Sequence, residues 1–248
     1  MPPFILVTPA TRGLSLALTR TFLRTTNLPV YATHRSGSSQ EVKEHILSPL
    51  KDVNPKRLSL LHLDLTNEST IEKAANSIPK DATIHTAFLT GGVLHPEKTP
   101  EQLDLGAIKE TFDINVISHL LLIKHFSRFL PPTGGEFAKW VHVSARVGSI
   151  SDNKTGGWYS YRASKAALNQ VLHTFDVQLR MKKRAAMAVG VHPGTVKTDL
   201  SREFWSSVPR EKLFEPEYAA ERLVEVVSNL NEDQRGMVWD WAGKRVDW

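Results

Sequence analysis

The feature that most limits what this chain can become is a regular alternation of two hydrophobic periods. Short runs rich in β-branched and aromatic residues occupy positions 4–7, 30–33, 58–63, 83–89, 140–143, 187–192 and 237–239. Between most of them lie stretches with helical spacing, at 14–24, 68–77, 105–130, 159–183 and 217–229. In the first of these, Leu14, Ala17, Leu18 and Phe22 share one face. Pro79 and Pro131-Pro132 end their helices, where a ring replaces the needed N–H. Strands joined through helices pair in parallel, because each crossover returns the chain to the same end of the sheet. The pattern predicts an α/β fold: a Rossmann-like, doubly wound parallel sheet of about seven strands with helices on both faces.

No repeat, linker or low-complexity tract divides the chain, so a single domain over residues 1–248 is expected. Gly37-Ser38-Ser39 reads as a loop, and residues 201–214 lack a clear period on the ligand side of the sheet. A hydrophobic content of 41% is enough for a packed core and argues against disorder. The absence of cysteine excludes disulfides, thiolate metal sites and cysteine nucleophiles, and no metal site is expected. The net charge of +5 is scattered except at Arg180, Lys182, Lys183 and Arg184, at a helix end where the dipole favours cations. This reads as a basic enzyme surface suited to anionic cofactors, with no nucleic-acid partner. Residues 1–7 do not read as a signal peptide, and no apolar run reaches the roughly 18 residues of a membrane span. A cytoplasmic protein that does not enter membranes is the expectation.

Sheets of this kind bind ligands beyond the carboxyl ends of their strands. After the first strand comes Thr8-Pro9-Ala10-Thr11-Arg12-Gly13-Leu14-Ser15, a turn into a helix whose N–H groups can face a pyrophosphate. Taken alone, its single Gly13 also fits simple helix–strand packing. The second strand ends in His34-Arg35 with no acidic residue, and Arg12 lies on the facing loop. Two guanidiniums there suit a 2′-phosphate, and Ser38 is a further donor; each Arg is equally read as a solvated surface residue. Asp64, at the end of the third strand, can accept from an adenine amino group or cap the helix near Asn67.

Tyr161 and Lys165 stand four residues apart on a predicted helix, hence on one face. A tyrosine is a poor acid–base group near neutrality, and a neighbouring ammonium lowers its pKa. Tyr161 can then exchange a proton with a carbonyl or alcohol oxygen, and Ser144 can hydrogen-bond the same oxygen. Such a pair also arises by chance, so its setting matters.

In that setting the chain resembles the short-chain dehydrogenase/reductase family over nearly its whole length. The resemblance rests on Val141-His142-Val143-Ser144 followed by Tyr161 and Lys165, on Phe112-Asp113-Ile114-Asn115-Val116, and on Pro193-Gly194 with Thr198. Asp64, Arg12 and Arg35 also match the family. The tail from Arg235 to Lys244, with Trp248, is similar to the C-factor-like subgroup. Read from its residues alone, that aromatic tail fits packing or a subunit contact.

The resemblance implies a carbonyl reductase or alcohol dehydrogenase using NADP(H). It makes Asn115, Ser144, Tyr161 and Lys165 catalytic, with Asn115 supporting a water behind Lys165. It lays the cofactor along Thr8, Arg12, Gly13, Leu14, Arg35, Asp64, Leu65, Gly91, Tyr161, Lys165, Pro193, Gly194 and Thr198. It also implies a homodimer or homotetramer paired through helices 105–130 and 159–183. Without it, Asn115 reads as satisfying local backbone and Thr198 as a helix cap. The pocket for a small carbonyl or alcohol substrate is expected from Leu94, His95, Ile150, Trp158 and residues 201–214.

Three departures bear on the cofactor side. Pro9 and Ser15 stand where the family has glycines, and Leu89-Thr90-Gly91-Gly92 stands where it has Asn-Asn-Ala-Gly. They motivate an alternative, a sensor or signalling protein that binds dinucleotide without turnover. A nucleotide-sugar epimerase shares the Tyr/Lys pair, but the chain after the sixth strand leaves little room for a sugar-nucleotide domain.

Overall fold

Each strand that must be parallel needs a crossover, and the order of elements supplies one. The computed structural model describes residues 3–248. The first half runs β1 (Phe4–Thr8), α1 (Gly13–Thr25), β2 (Val30–His34), α2 (Ser39–Leu47), β3 (Leu58–His62), α3 (Glu68–Asn76) and β4 (Ile84–Leu89). Then come α4 (Leu105–Phe112), a π turn (Asp113–Ile117), α5 (Ser118–Phe126), β5 (Ala138–Val143), α6 (Tyr159–Met181) and β6 (Ala186–His192). The chain ends with β7 (Thr195–Val196), β8 (Leu213–Phe214), α7 (Pro216–Asn229), β9 (Val238–Asp240) and β10 (Arg245–Val246).

The main sheet has eight strands in the order β10-β9-β6-β5-β4-β1-β2-β3. All neighbours are parallel except β9 and β10. The winding reverses between β1 and β4, which opens a crevice at their carboxyl ends. Residues alternate between the faces, as a strand period of two requires. Phe4 and Leu6 enter a core with Ile71, Leu122, Phe126 and Phe175. Ile5 and Val7 enter the opposite core with Leu18, Phe22, Ile46 and Leu223. Thus α3, α5 and α6 cover one face and α1, α2 and α7 the other. All four of these β1 residues are fully buried, at about 1.5–3 kcal/mol of transfer free energy each.

The expected doubly wound parallel sheet is present, and four details differ. The sheet gains β10, only two residues long and beyond the reach of a periodicity argument. Ser38 does not stand free as a phosphate donor; it caps α2 in a reciprocal box with Glu41. The helix expected at 105–130 is broken by the π turn at Asp113–Ile117, and residues 127–129 tighten into a 3₁₀ turn. Asp64 is not the cap of α3: its Oδ1 accepts from Thr66 N and Oγ1, and Asn67 caps that helix. Among the described residues no helix is long and apolar enough to cross a membrane.

Candidate active site

The crevice has one wall from β1 and α1 and another from β5 and α6. On the first wall, β1 delivers Thr8, whose Oγ1 accepts from Thr33 Oγ1 at 2.8 Å. Gly13 has φ of +52°, and a Cβ there would lie 2.9 Å from Thr198 Cγ2. The loop after β1 and the loop after β6 thus close on each other at a residue that must be glycine. Leu14 packs beside Val196, Phe214 and Trp241 in the same corner.

The departures in this wall are joined to one another. Ser15 Oγ and Thr90 Oγ1 are 2.8 Å apart. Thr90 N donates to Thr8 O at 2.7 Å, and its hydroxyl lies 3.1 Å from the carbonyls of Thr8 and Pro9. Hydroxyl cross-links thus fasten the first loop to the end of β4. Gly91 is wedged against Leu65, whose Cδ1 would sit 2.6 Å from an added Cβ. Arg12 and Arg35 are both exposed on loops after neighbouring strands. At Asp64 burial opposes ionisation, but the Thr66 bonds and the charges of Arg35 and His62 hold its carboxyl below the ordinary value.

On the second wall, α6 presents Tyr161 and Lys165 to the end of β5, and both are buried. Lys165 Nζ donates to Val143 O at 2.9 Å and lies 5.7 Å from the Tyr161 ring centroid. Burial pushes the Tyr161 phenol well above its usual value and brings Lys165 down to about 8. Gly148 lets the loop after β5 ride on α6, since a Cβ there would fall 2.8 Å from Lys165 Cβ. Ser144 N donates to Val191 O at 2.8 Å, and its Oγ donates to Asn169 Oδ1 at 2.6 Å.

Asn169 was missed in the sequence, although it continues the spacing of Tyr161 and Lys165 by one more helical step. Asn115 sits in the π turn. Its Oδ1 accepts from Val93 N at 2.8 Å, and its Nδ2 donates to Val93 O and Ser164 Oγ, both at 3.0 Å. It joins the segment after β4 to α6. Gly92 comes close to α6 and to the π turn, for a Cβ there would be 3.6 Å from Lys165 Nζ and 3.8 Å from Asn115 Oδ1.

Of the expected pocket residues, Trp158 reaches the site, its ring 6.2 Å from Tyr161 and 4.8 Å from Phe204. It adopts φ of +51°, with its N–H donating to Glu97 O at 2.5 Å. His95 is drawn to Glu110 at 2.9 Å, and Ile150 faces solvent. Residues 199–207 form a 3₁₀ helix, with Thr198 just before it. Gly194 has φ of +75° and is enclosed by Phe214 and Trp241, so that part of the aromatic tail packs behind the Pro193-Gly194 turn. Arg146 pairs with Asp240 at 2.9 Å and ties the loop after Ser144 to β9.

Comparison with known proteins agrees with this architecture. The family model for short chain dehydrogenase matches residues 3–208. A 1-hydroxy-2-glutathionyl-2-methyl-3-butene dehydrogenase of Rhodococcus sp. (strain AD45) is 33% identical over 188 residues, covering 75% of this chain and 78% of that one. The C-signal protein of Myxococcus xanthus is 32% identical over 59% of this chain and 81% of its own. An NADPH-bound carbonyl reductase from chicken fatty liver superposes with a TM-score of 0.85 at 27% identity, covering 99% of this chain and 98% of that one. The carbonyl reductase Sniffer of D. melanogaster gives 0.84 at 25% identity, with both chains fully covered.

Proposed function

The chain belongs to the short-chain dehydrogenase family of oxidoreductases, and from that premise we propose that its crevice binds NADP(H) and reduces a small carbonyl compound, or oxidises the matching alcohol, with Tyr161 as the acid–base group. The observation that carries this reading is the shared face of Tyr161, Lys165 and Asn169, buried beside Ser144 and across from Gly92.

The residues present fit a dinucleotide. Helix α1, like α6 and α7, has no capping side chain. The N–H groups of its first turn stay open toward the crevice, where a pyrophosphate suits them. Arg12 and Arg35 stand where a 2′-phosphate would be recognised, which supports NADP(H) over NAD(H). Bound there, the nicotinamide supplies or accepts the hydride.

Tyr161 donates its phenolic proton to the substrate oxygen as reduction proceeds and recovers it afterwards. Burial opposes the phenolate, and the Lys165 ammonium, 5.7 Å from the ring, is the charge placed to stabilise it as the proton leaves. With its pKa near 8, Lys165 is mostly charged at neutral pH. Asn169 holds Ser144 Oγ in place. When the Asn169 amide turns over, its Nδ2 donates to Ser144 and frees the serine proton for the substrate oxygen. Trp158 and Phe204 supply an apolar wall beside the reacting oxygen.

Titration with NADPH and with NADH, followed by fluorescence, tests the proposal. NADPH binding about tenfold tighter than NADH, with the margin erased in Arg35→Ala, is expected. Equal binding of both cofactors would remove the phosphate reading. Binding of neither would overturn the proposal and favour a signalling role on the same fold. The family resemblance also supports pairing through residues 105–130 and through α6, where Leu105, Ile117, Leu120 and Met181 are exposed; the mass in solution checks this.

A further inference from the structure

Beneath the crevice lie three fully buried side chains with no part in the scheme above: Trp140 and His142 on β5, and His119 on α5. Trp140 Nε1 donates to His142 Nε2 at 3.0 Å. The two imidazoles meet through their Nδ1 atoms at 2.9 Å, and His119 Nε2 lies 3.1 Å from Gly91 O. Their protons can be placed by elimination. An indole N–H only donates, so His142 Nε2 accepts and its proton sits on Nδ1. His119 Nδ1 then accepts, and its proton sits on Nε2, facing Gly91 O. Any other pair of neutral tautomers sets two donors or two acceptors against each other. Both rings stay neutral at working pH. Burial and the nearby Lys165 charge bring His119 down to about 3, and burial, with the neighbouring His119 ring and the Lys165 charge, pushes His142 well below its usual value.

This line of hydrogen bonds ends on the peptide with the most freedom to lose. Gly91 and Gly92 are consecutive glycines in the segment where the chain departs from its family. Their peptide is trans and planar, so Gly92 N–H points opposite to Gly91 C=O. A carbonyl held toward His119 aims that N–H away from α5. Gly91 is buried but Gly92 is exposed, and among the described residues Gly92 N–H has no protein acceptor. Asn115 fixes the next residue, Val93, at both its N–H and its C=O.

We propose that Trp140, His142 and His119 form a positioning relay, which sets the plane of the Gly91–Gly92 peptide and presents Gly92 N–H to the bound dinucleotide. The inference rests on the dinucleotide reading above and extends it to residues that touch neither cofactor nor substrate.

The test uses the full chain and three variants. His119→Phe keeps a ring but removes the donor. His119→Gln keeps an N–H donor. Trp140→Phe removes only the far donor that selects the tautomers. The readouts are NADPH affinity, amide hydrogen exchange at Val93 in the ligand-free protein, and melting temperature. His119→Phe is expected to weaken NADPH and to speed Val93 exchange by about tenfold each. His119→Gln should recover both to within about threefold of the wild type, and Trp140→Phe should shift both by about threefold in the same direction as His119→Phe. A merely space-filling role predicts that Gln, the poorer fit to an aromatic site, does worse than Phe; that result overturns the relay. Should His119→Phe fail to fold, Trp140→Phe decides, and unchanged exchange and affinity there overturn the relay. Wild-type protein that binds NADPH while every variant matches it removes the relay alone. Wild-type protein that binds no dinucleotide removes the relay and the proposed function together.

Discussion

The two walls of the crevice reach order by opposite means. On the β1–α1 wall Pro9, Ser15 and the neighbouring Leu89-Thr90-Gly91 run depart from the family pattern, and side-chain hydroxyls hold the backbone: Ser15 to Thr90, and Thr90 to the carbonyls of Thr8 and Pro9. On the β5–α6 wall Ser144, Tyr161 and Lys165 match it, and Tyr161, Lys165 and Asn169 are buried. Backbone placement can be achieved with several residue sets, because any hydrogen bond of the right length will serve. Proton transfer has no such freedom, since it depends on particular groups with particular pKa values. The contrast separates substitutions that should disturb binding from those that should disturb turnover.

Four measurements would break or sharpen that contrast. The largest effect is expected from Tyr161→Phe, which should lower turnover about 1000-fold and leave NADPH affinity within about twofold. Substantial residual turnover would move the chemistry away from α6. Next is pH. The proposed chemistry needs Lys165 charged, and burial has lowered its pKa to about 8. As pH rises through that value the ammonium is lost, so kcat/KM for carbonyl reduction should fall about tenfold per pH unit above it. A profile flat to pH 10 would show that the charge is dispensable. Third, Asn169→Ala should lower kcat about fivefold with KM unchanged, because Ser144 loses its partner. A rise in KM alone would make Asn169 part of binding instead. The smallest effect belongs to the first wall. Ser15→Ala and Thr90→Val should each weaken NADPH about threefold, and the double variant should cost little more than either. Additive losses would mean that the two hydroxyls act separately.

Much of this was legible in the chain. The six long strands and six of the seven α-helices, α4 and α5 merged into one, follow from hydrophobic period, because most bury apolar residues at fixed spacing. Helix α2 buries only Ile46, and its signal was instead the Ser38-to-Glu41 capping spacing, which passed for a loop. Strand β10 is too short for any period. The candidate site divides in the same way. Tyr161, Lys165 and Asn169 share one helix, so their nearness is a local property. His119 and His142 lie 23 residues apart on different elements, and only the packing of α5 against β5 reveals their bond. Nor could spacing foretell that Asp64 Oδ1 is taken up by Thr66, since both of its readings require the same residue at a strand end.

The π turn at Asp113–Ile117 has a consequence for how this gene can change length. Ser118 N reaches back five residues to Asp113 O, where an α-helix would reach back four. The turn amounts to a one-residue insertion that the helix has absorbed, and each α-helical residue advances about 100° around the axis. Deleting one residue there would make the helix more regular and rotate everything after it by about that angle. Leu122 and Phe126 would swing out of the core, and His119 would leave Gly91. Helix regularity would be gained at the expense of both core and site. What inheritance has to preserve across these five positions is their number.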